Sequence, residues 1–257
     1  MIIPLPSKQK AFRLRLGIVT EAPSTLRVHA RDRQYRDCYY IRRRVTFGEP
    51  LFSKTQERQG YKSFSLPFPQ SPEVLELLIK ADNMAAYEEV ETQVEQLEVK
   101  PTWLEPEMQR YLGFAQRLAR EVMRIGPGYF ESPDGAFLVQ LLPVIRDSSG
   151  QVQQTPARIN RLTGRIQISL QHFARYTVPV RLFILLHERY HYQLNDRSER
   201  GPDLAALRLM LSLGYPETEL VYAASRIFLA HPDNLGRPHA ERVRDIHQVI
   251  LQHRNSA

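Results

Sequence analysis

The chain has 257 residues, 42% hydrophobic and 25% charged, with one cysteine and a formal net charge of +7. That balance excludes collagen-like, mucin-like and wholly disordered chains, and a lone cysteine excludes an intrachain disulfide framework or a thiolate metal cage. The length allows one large domain or two small ones, each able to bury a core of its own.

Residues 1–8 contain two prolines and no apolar run of signal-peptide length. No later stretch approaches the roughly 18 apolar residues that span a bilayer. The longest candidate, residues 178–186, is short and contains Arg181. A soluble protein of a reducing, cytoplasmic compartment is expected.

From residue 12 to about 98 the pattern is strand-like. Phe12, Leu14, Leu16 and Ile18 alternate with Arg13 and Arg15. Residues 39–47 are rich in β-branched and aromatic side chains, and residues 61–68 and 74–81 follow between Pro, Gly and Ser. A small antiparallel β-domain, sandwich-like, is predicted over 1–100. Residues 88–97 fit either an acidic helix, with Val90, Val94 and Leu97 at helical spacing, or an exposed strand. Cys38 lies among aromatics and reads as inert core.

Charge is segregated within this domain. Residues 1–48 carry 11 Lys+Arg against three acids, and residues 72–108 carry ten acids against two lysines. Opposed blocks of +8 and −8 point to internal pairing or self-association rather than to a nucleic-acid face. Arg42, Arg43 and Arg44 would be the nucleic-acid contact if there were one. A solvated strand or a guarded sheet edge is the preferred reading, so nucleic acid is not expected as a partner.

The two prolines of residues 101–106 mark a domain boundary, and a second domain is predicted over 101–257. Residues 108–125 form an amphipathic helix, with Tyr111, Leu112, Phe114, Ala115, Leu118, Val122 and Met123 on its apolar stripe and Gly126-Pro127-Gly128 as its stop. Residues 137–145 read as a buried strand. Residues 157–161 and 165–169 flank Leu162-Thr163-Gly164 as a β-hairpin. Helices then cover about 180–194, 199–213, 216–230 and 238–253. The whole chain is therefore α+β: a β-rich domain, then a small sheet and a C-terminal helical block.

The segment that carries chemistry is His187-Glu188-Arg189-Tyr190-His191. Spacing of four on a helix puts the two imidazoles on one face, one turn apart, where they can share one Zn²⁺ ion. Glu188 projects beside them, placed to act as general base toward water at such an ion. Arg189 is expected to face solvent. A zinc site needs a third protein ligand, and two acids follow the helix. Asn195 and Asp196 allow a reversal, Ser198 can cap the next helix, and Glu199 and Asp203 then share one face of it. On reach along the chain Asp203 is favoured as third ligand, with Glu199 as its supporting partner or the alternative ligand. Tyr176, Tyr190 and Tyr215 could each offer a phenol to a developing oxyanion, although packing is the commoner use of a tyrosine.

These residues resemble the HExxH zincin metallopeptidases. More narrowly, residues 187–216 look like a set of poorly characterised phage-encoded zinc peptidases. Their motif continues with an Asn, then Ser-Glu-x-Glu-Ala-Asp-Leu-Asn-x-Leu, and ends Leu-Gly-Tyr-Pro. This chain matches at Asn195, Ser198, Glu199, Asp203, Leu204, Leu207 and Leu213 to Pro216. Residues 155–160, 176–179 and 234–237 also look like that group, and the likeness covers roughly 110–250. It departs at Gly201 and Pro202, where the group has Glu and Ala. The resemblance implies a zincin-like fold for the second domain, a peptide or protein substrate, and a host-cytoplasmic or virion setting. The alternative is a virion-associated or interaction protein that keeps a structural or vestigial zinc site. The N-terminal domain would then contact another copy of the chain or a virion component.

Overall fold

The computed structural model describes residues 1–20, 24–47, 62–82, 87–99, 103–195, 198–224 and 237–256. The chain divides into two units, Met1–Val99 and Lys100–Ala257. No helix among the described residues is long and apolar enough to cross a membrane.

Period-two alternation builds the first unit. Its strands are β1 (Ile2–Leu5), β2 (Phe12–Thr20), β3 (Ser24–Asp32), β4 (Tyr39–Phe47), β5 (Lys62–Phe68), β6 (Leu75–Ala81) and β7 (Tyr87–Gln96). They form two antiparallel sheets, in the orders β1-β6-β3-β4 and β5-β2-β7. Each sheet hides one face. Leu14, Leu16 and Ile18 of β2, and Leu26, Val28 and Ala30 of β3, are fully buried. Burying a side chain of Leu or Ile size contributes about 1.5–3 kcal/mol. With no helix among the described residues of this unit, the arrangement is sandwich-like. Residues 88–97 resolve as strand β7, whose outer residues stay exposed. β1 and β3 were not expected from the sequence. The predicted start of β5 at Tyr61 lies outside the described residues.

The segregated charges meet inside this unit. Arg31 lies opposite Glu76 in the β3–β6 register and pairs with it at 2.6 Å. Arg27 of β3 pairs with Asp82 just beyond β6, and Arg15 of β2 pairs with Glu95 of β7 at 3.1 Å. Three of the eleven basic residues of the first block thus pair with acids of the second within this unit. Arg42 and Arg44 are exposed on β4, which is an edge among the described strands. The Arg42 guanidinium rests 3.8 Å from the Tyr39 ring centroid. Cys38 is buried.

In the second unit, helix α1 (Pro106–Glu121) runs into a 3₁₀ turn over Val122–Arg124. A four-stranded sheet follows: β8 (Gly128–Glu131), β9 (Leu138–Leu142), β10 (Ala157–Ile159) and β11 (Ile166–Ser169). Its order is β10-β11-β9-β8, with β11 parallel to β9 and the other pairs antiparallel. The predicted hairpin is β10–β11. The Asn160 side chain accepts from the backbone N–H groups of Leu162 and Thr163, and Gly164 supplies the positive φ of 68° that closes the turn. The helices are α2 (Leu170–Phe173), α3 (Val178–Gln193), α4 (Arg200–Ser212), α5 (Glu217–Tyr222) and α6 (Arg237–Ser256). Residues 225–236, which include part of the predicted third helix of the block and most of the 234–237 stretch, lie outside the described residues.

Helix α3 is the axis of this unit. It packs on α1, α4, α5 and β10, so residues 178–187 are buried on every side. The hydroxyl of Tyr111 on α1 donates to the Leu185 carbonyl at 2.8 Å. Tyr111, Phe114, Phe130 and Phe137 form an aromatic cluster with centroids 5.2–6.0 Å apart.

Candidate metal centre

The last two turns of α3 change from apolar to polar, and the change places the motif. Asn195 adopts a left-handed φ of 47°, which ends the helix, and α4 begins at Arg200. Asp196, the second predicted turn residue, lies outside the described residues. The N-cap of α4 is Glu199 rather than Ser198, so the Glu199 carboxylate sits where the returning chain meets the motif. Asp203 follows one turn later and is fully buried.

Three ligand atoms converge here. His187 Nε2 and His191 Nε2 lie 3.0 Å apart. Glu199 Oε2 lies 3.2 Å from the first and 3.4 Å from the second. Zinc bonds of 2.0–2.1 Å in a tetrahedral arrangement require ligand atoms about 3.3–3.4 Å apart. The observed triangle therefore has close to the edge lengths of one face of such a tetrahedron. Among the described residues this is the one His/Cys/Asp/Glu group able to hold a metal ion. Glu199 is 45% exposed, whereas the two histidines are buried, so the triangle borders solvent on its carboxylate side.

Asp203 lies on the other side of His187. Its Oδ1 is 2.9 Å from His187 Nδ1, away from the triangle. This reverses the order of the two acids given by reach along the chain. Reach measures length of chain and says nothing of direction. Because α4 begins directly after Glu199, the earlier acid faces the two Nε2 atoms and the later one meets the outer nitrogen.

The charges respond to this crowding. Burial opposes a proton on His187, but the bonds to Asp203 and Glu199 outweigh it and push the imidazole up to about 9. Burial also opposes the charge of Glu199, yet both histidines hold its carboxyl far below the usual range. Glu188 is raised, first by burial and further by the nearby Glu199 charge; the two histidines and a hydrogen bond from the Ile159 backbone N–H pull the other way. That last contact ties the motif helix to β10.

Arg189 does not face solvent. It is 6% exposed, bonds Glu107 of α1, and stacks its guanidinium within 5.0–5.5 Å of the Tyr111, Phe137 and Tyr192 rings. The aromatic cluster of the core provides the surface that a motif read in isolation lacks. Arg161, in the hairpin turn, brings Nη2 to 3.3 Å from His191 Nδ1. Nothing in the spacing of the sequence marked it. The Tyr215 hydroxyl accepts from Gln116 and is buried in this unit, which fits packing.

Gly201 and Pro202 occupy the first turn of α4, where a proline is tolerated because its missing N–H would have no helical partner. The change at Gly201 leaves the Glu199 carboxylate in the triangle. Compared with protein-family models, curated proteins and solved structures, the chain finds no match.

Proposed function

We propose that the chain is a zinc-dependent peptidase of the HExxH zincin kind. The observation that carries this reading is the triangle of His187 Nε2, His191 Nε2 and Glu199 Oε2, with edges of 3.0, 3.2 and 3.4 Å. Two imidazoles and one carboxylate, with solvent on the carboxylate side, are the donor set of a catalytic rather than a structural zinc site. His187, His191 and Glu199 hold the ion, and Asp203 fixes the tautomer and orientation of His187 through Nδ1. When bound, the ion supplies Lewis acidity toward a peptide carbonyl and acidifies a water molecule.

The remaining work belongs to the chain. Glu188 takes the proton of the attacking water and returns it to the leaving amine. Its raised pKa makes it a stronger base than an ordinary glutamate. β10 is an edge among the described strands and contacts α3, so an extended peptide can add to the sheet beside the motif.

Glu188→Gln is the decisive substitution, because it keeps the ligands and removes the base. Elemental analysis should find one zinc per chain in both proteins. Cleavage of a quenched-fluorescence peptide library should fall by about 10²–10⁴-fold. Unchanged cleavage by the variant would remove the role of Glu188. Stoichiometric zinc with no hydrolysis by the unaltered chain would instead favour the interaction-protein reading.

A further inference from the structure

The hairpin has a second face that the proposed chemistry does not use. Arg158 of β10, Gln167 of β11, Gln140 of β9 and Tyr129 of β8 stand opposite one another in register and form a row across all four strands. The row is hydrogen-bonded along its length. Arg158 Nε donates to Gln167 at 2.7 Å, Gln167 to Gln140 at 2.7 Å, and Gln140 to the Tyr129 hydroxyl at 3.4 Å. Arg158 Nη1 also donates to Gln153 at 3.3 Å. Amide oxygens thus fix the guanidinium without neutralising it, and among the described residues it meets no carboxylate. Arg165, opposite Asn160, lies two pairs further along the hairpin and so on the same face. A cavity of about 470 Å³ lies over this face, and its lining includes both arginines, Asn160, Gln140 and Gln167 but no acidic residue. Such a site favours an anion.

Its position says which anion. The Asn160 N–H donates to the Arg165 carbonyl at 2.8 Å, which makes that a hydrogen-bonded pair. Antiparallel alternation then turns the N–H and C=O of Ile159 away from β11, toward the open edge. The Ile159 N–H is taken by Glu188, so on this residue the C=O is the group turned to an added peptide. A peptide laid along this edge would send every second side chain to the Arg158 face.

We propose that this cavity is the recognition pocket for an acidic side chain of an extended peptide lying along β10, with Arg158 and Arg165 binding its carboxylate. The proposal rests on the peptidase reading for the course of the peptide but not for any step of hydrolysis. The test is fluorescence anisotropy on the full-length, zinc-loaded protein. The probes are a labelled heptapeptide of alternating Ala and Glu and its Gln counterpart, both capped at each end so that side chains carry the only carboxylates. The Glu peptide should bind about tenfold more tightly, the worth of one charge-assisted hydrogen bond. Arg158→Ala and Arg165→Ala should each remove most of that advantage and leave the affinity of the Gln peptide unchanged, which also reports intact folding. Arg158→Lys should keep part of it. Equal affinity for the two peptides, no binding of either, or an advantage that survives loss of both arginines would overturn the proposal. So would competition by inorganic phosphate without any preference for Glu over Gln. Arginine-dependent binding without cleavage would uphold the pocket while sinking the peptidase reading, so the two failures are distinguishable.

Discussion

His187 carries two different contacts on one ring. Its Nε2 faces His191 and Glu199, and its Nδ1 faces Asp203. The two acids should therefore weigh differently on metal affinity. In the proposed zinc site Glu199→Ala removes a ligand atom and should weaken zinc binding by well over 100-fold. Asp203→Asn keeps the shape, loses the charge, and should weaken it by about 10–100-fold, as removal of an outer partner does. Competition with a chromophoric chelator measures both. Retained zinc in Glu199→Ala, with complete loss in Asp203→Asn, would restore Asp203 as the third ligand. An ion that binds here must displace the proton that Asp203 and Glu199 stabilise on His187, so binding should release protons into solution.

At the scale of elements, α3 is held by a charge with no exposure at all. Arg181 is fully buried and donates to the carbonyls of Ala119, Phe173 and Ala174 at 3.1, 3.3 and 2.7 Å. One guanidinium thus satisfies carbonyls at the ends of α1 and α2, which no longer have helical partners. Arg181→Ala would strand the Ala119 and Ala174 carbonyls, while the Phe173 carbonyl keeps the Tyr176 N–H. At about 1–3 kcal/mol for each, urea unfolding should register a loss of at least ~2 kcal/mol. A loss below about 1 kcal/mol would show that water replaces the side chain. In the sequence Arg181 only interrupts an apolar run. Its role appears once α1 and α2 are seen to end against it. The same distinction separates what was legible from what was not. The motif helix, its successor α4 and the β10–β11 hairpin announce themselves by periodicity and turn chemistry within a few residues. β3 also alternates strictly, Leu26, Val28 and Ala30 against Arg27, His29 and Arg31, so its signal is present in the sequence too. β7 is ambiguous because Val90, Val94 and Leu97 also fit helical spacing, and an exposed strand, with Val94 57% exposed, needs no apolar alternation. The order of Glu199 and Asp203 depended on where α4 starts, and spacing alone cannot fix that.

For the whole molecule, the net charge loses its first meaning. The excess of basic residues suggests a polyanion, yet Arg15, Arg27 and Arg31 pair with Glu95, Asp82 and Glu76 inside one unit. Their pairs should differ in strength with exposure. Arg31 and Glu76 are 16% and 11% exposed, and Arg15 and Glu95 are 51% and 40%. A double-mutant cycle should return a coupling of about 1–2 kcal/mol for the first pair and below about 0.5 kcal/mol for the second. Equal couplings would mean that screening, rather than burial, sets both. The second unit makes a complementary case. The three ligand atoms, Asp203, Glu188, the β10 edge and the Arg181 anchor all lie within Lys100–Ala257, as do the partners named above for each of them. That unit has its own sheet and helical core, and at 158 residues it lies within the usual size of an independent domain. Produced without residues 1–99, it should fold cooperatively and bind zinc within about twofold of the full chain, since no ligand or orienting partner has been removed. A large drop in affinity, with folding intact by circular dichroism, would mean that the first unit completes the metal centre. An unchanged affinity confines the chemistry to the second unit and leaves the first with a task separate from holding the metal.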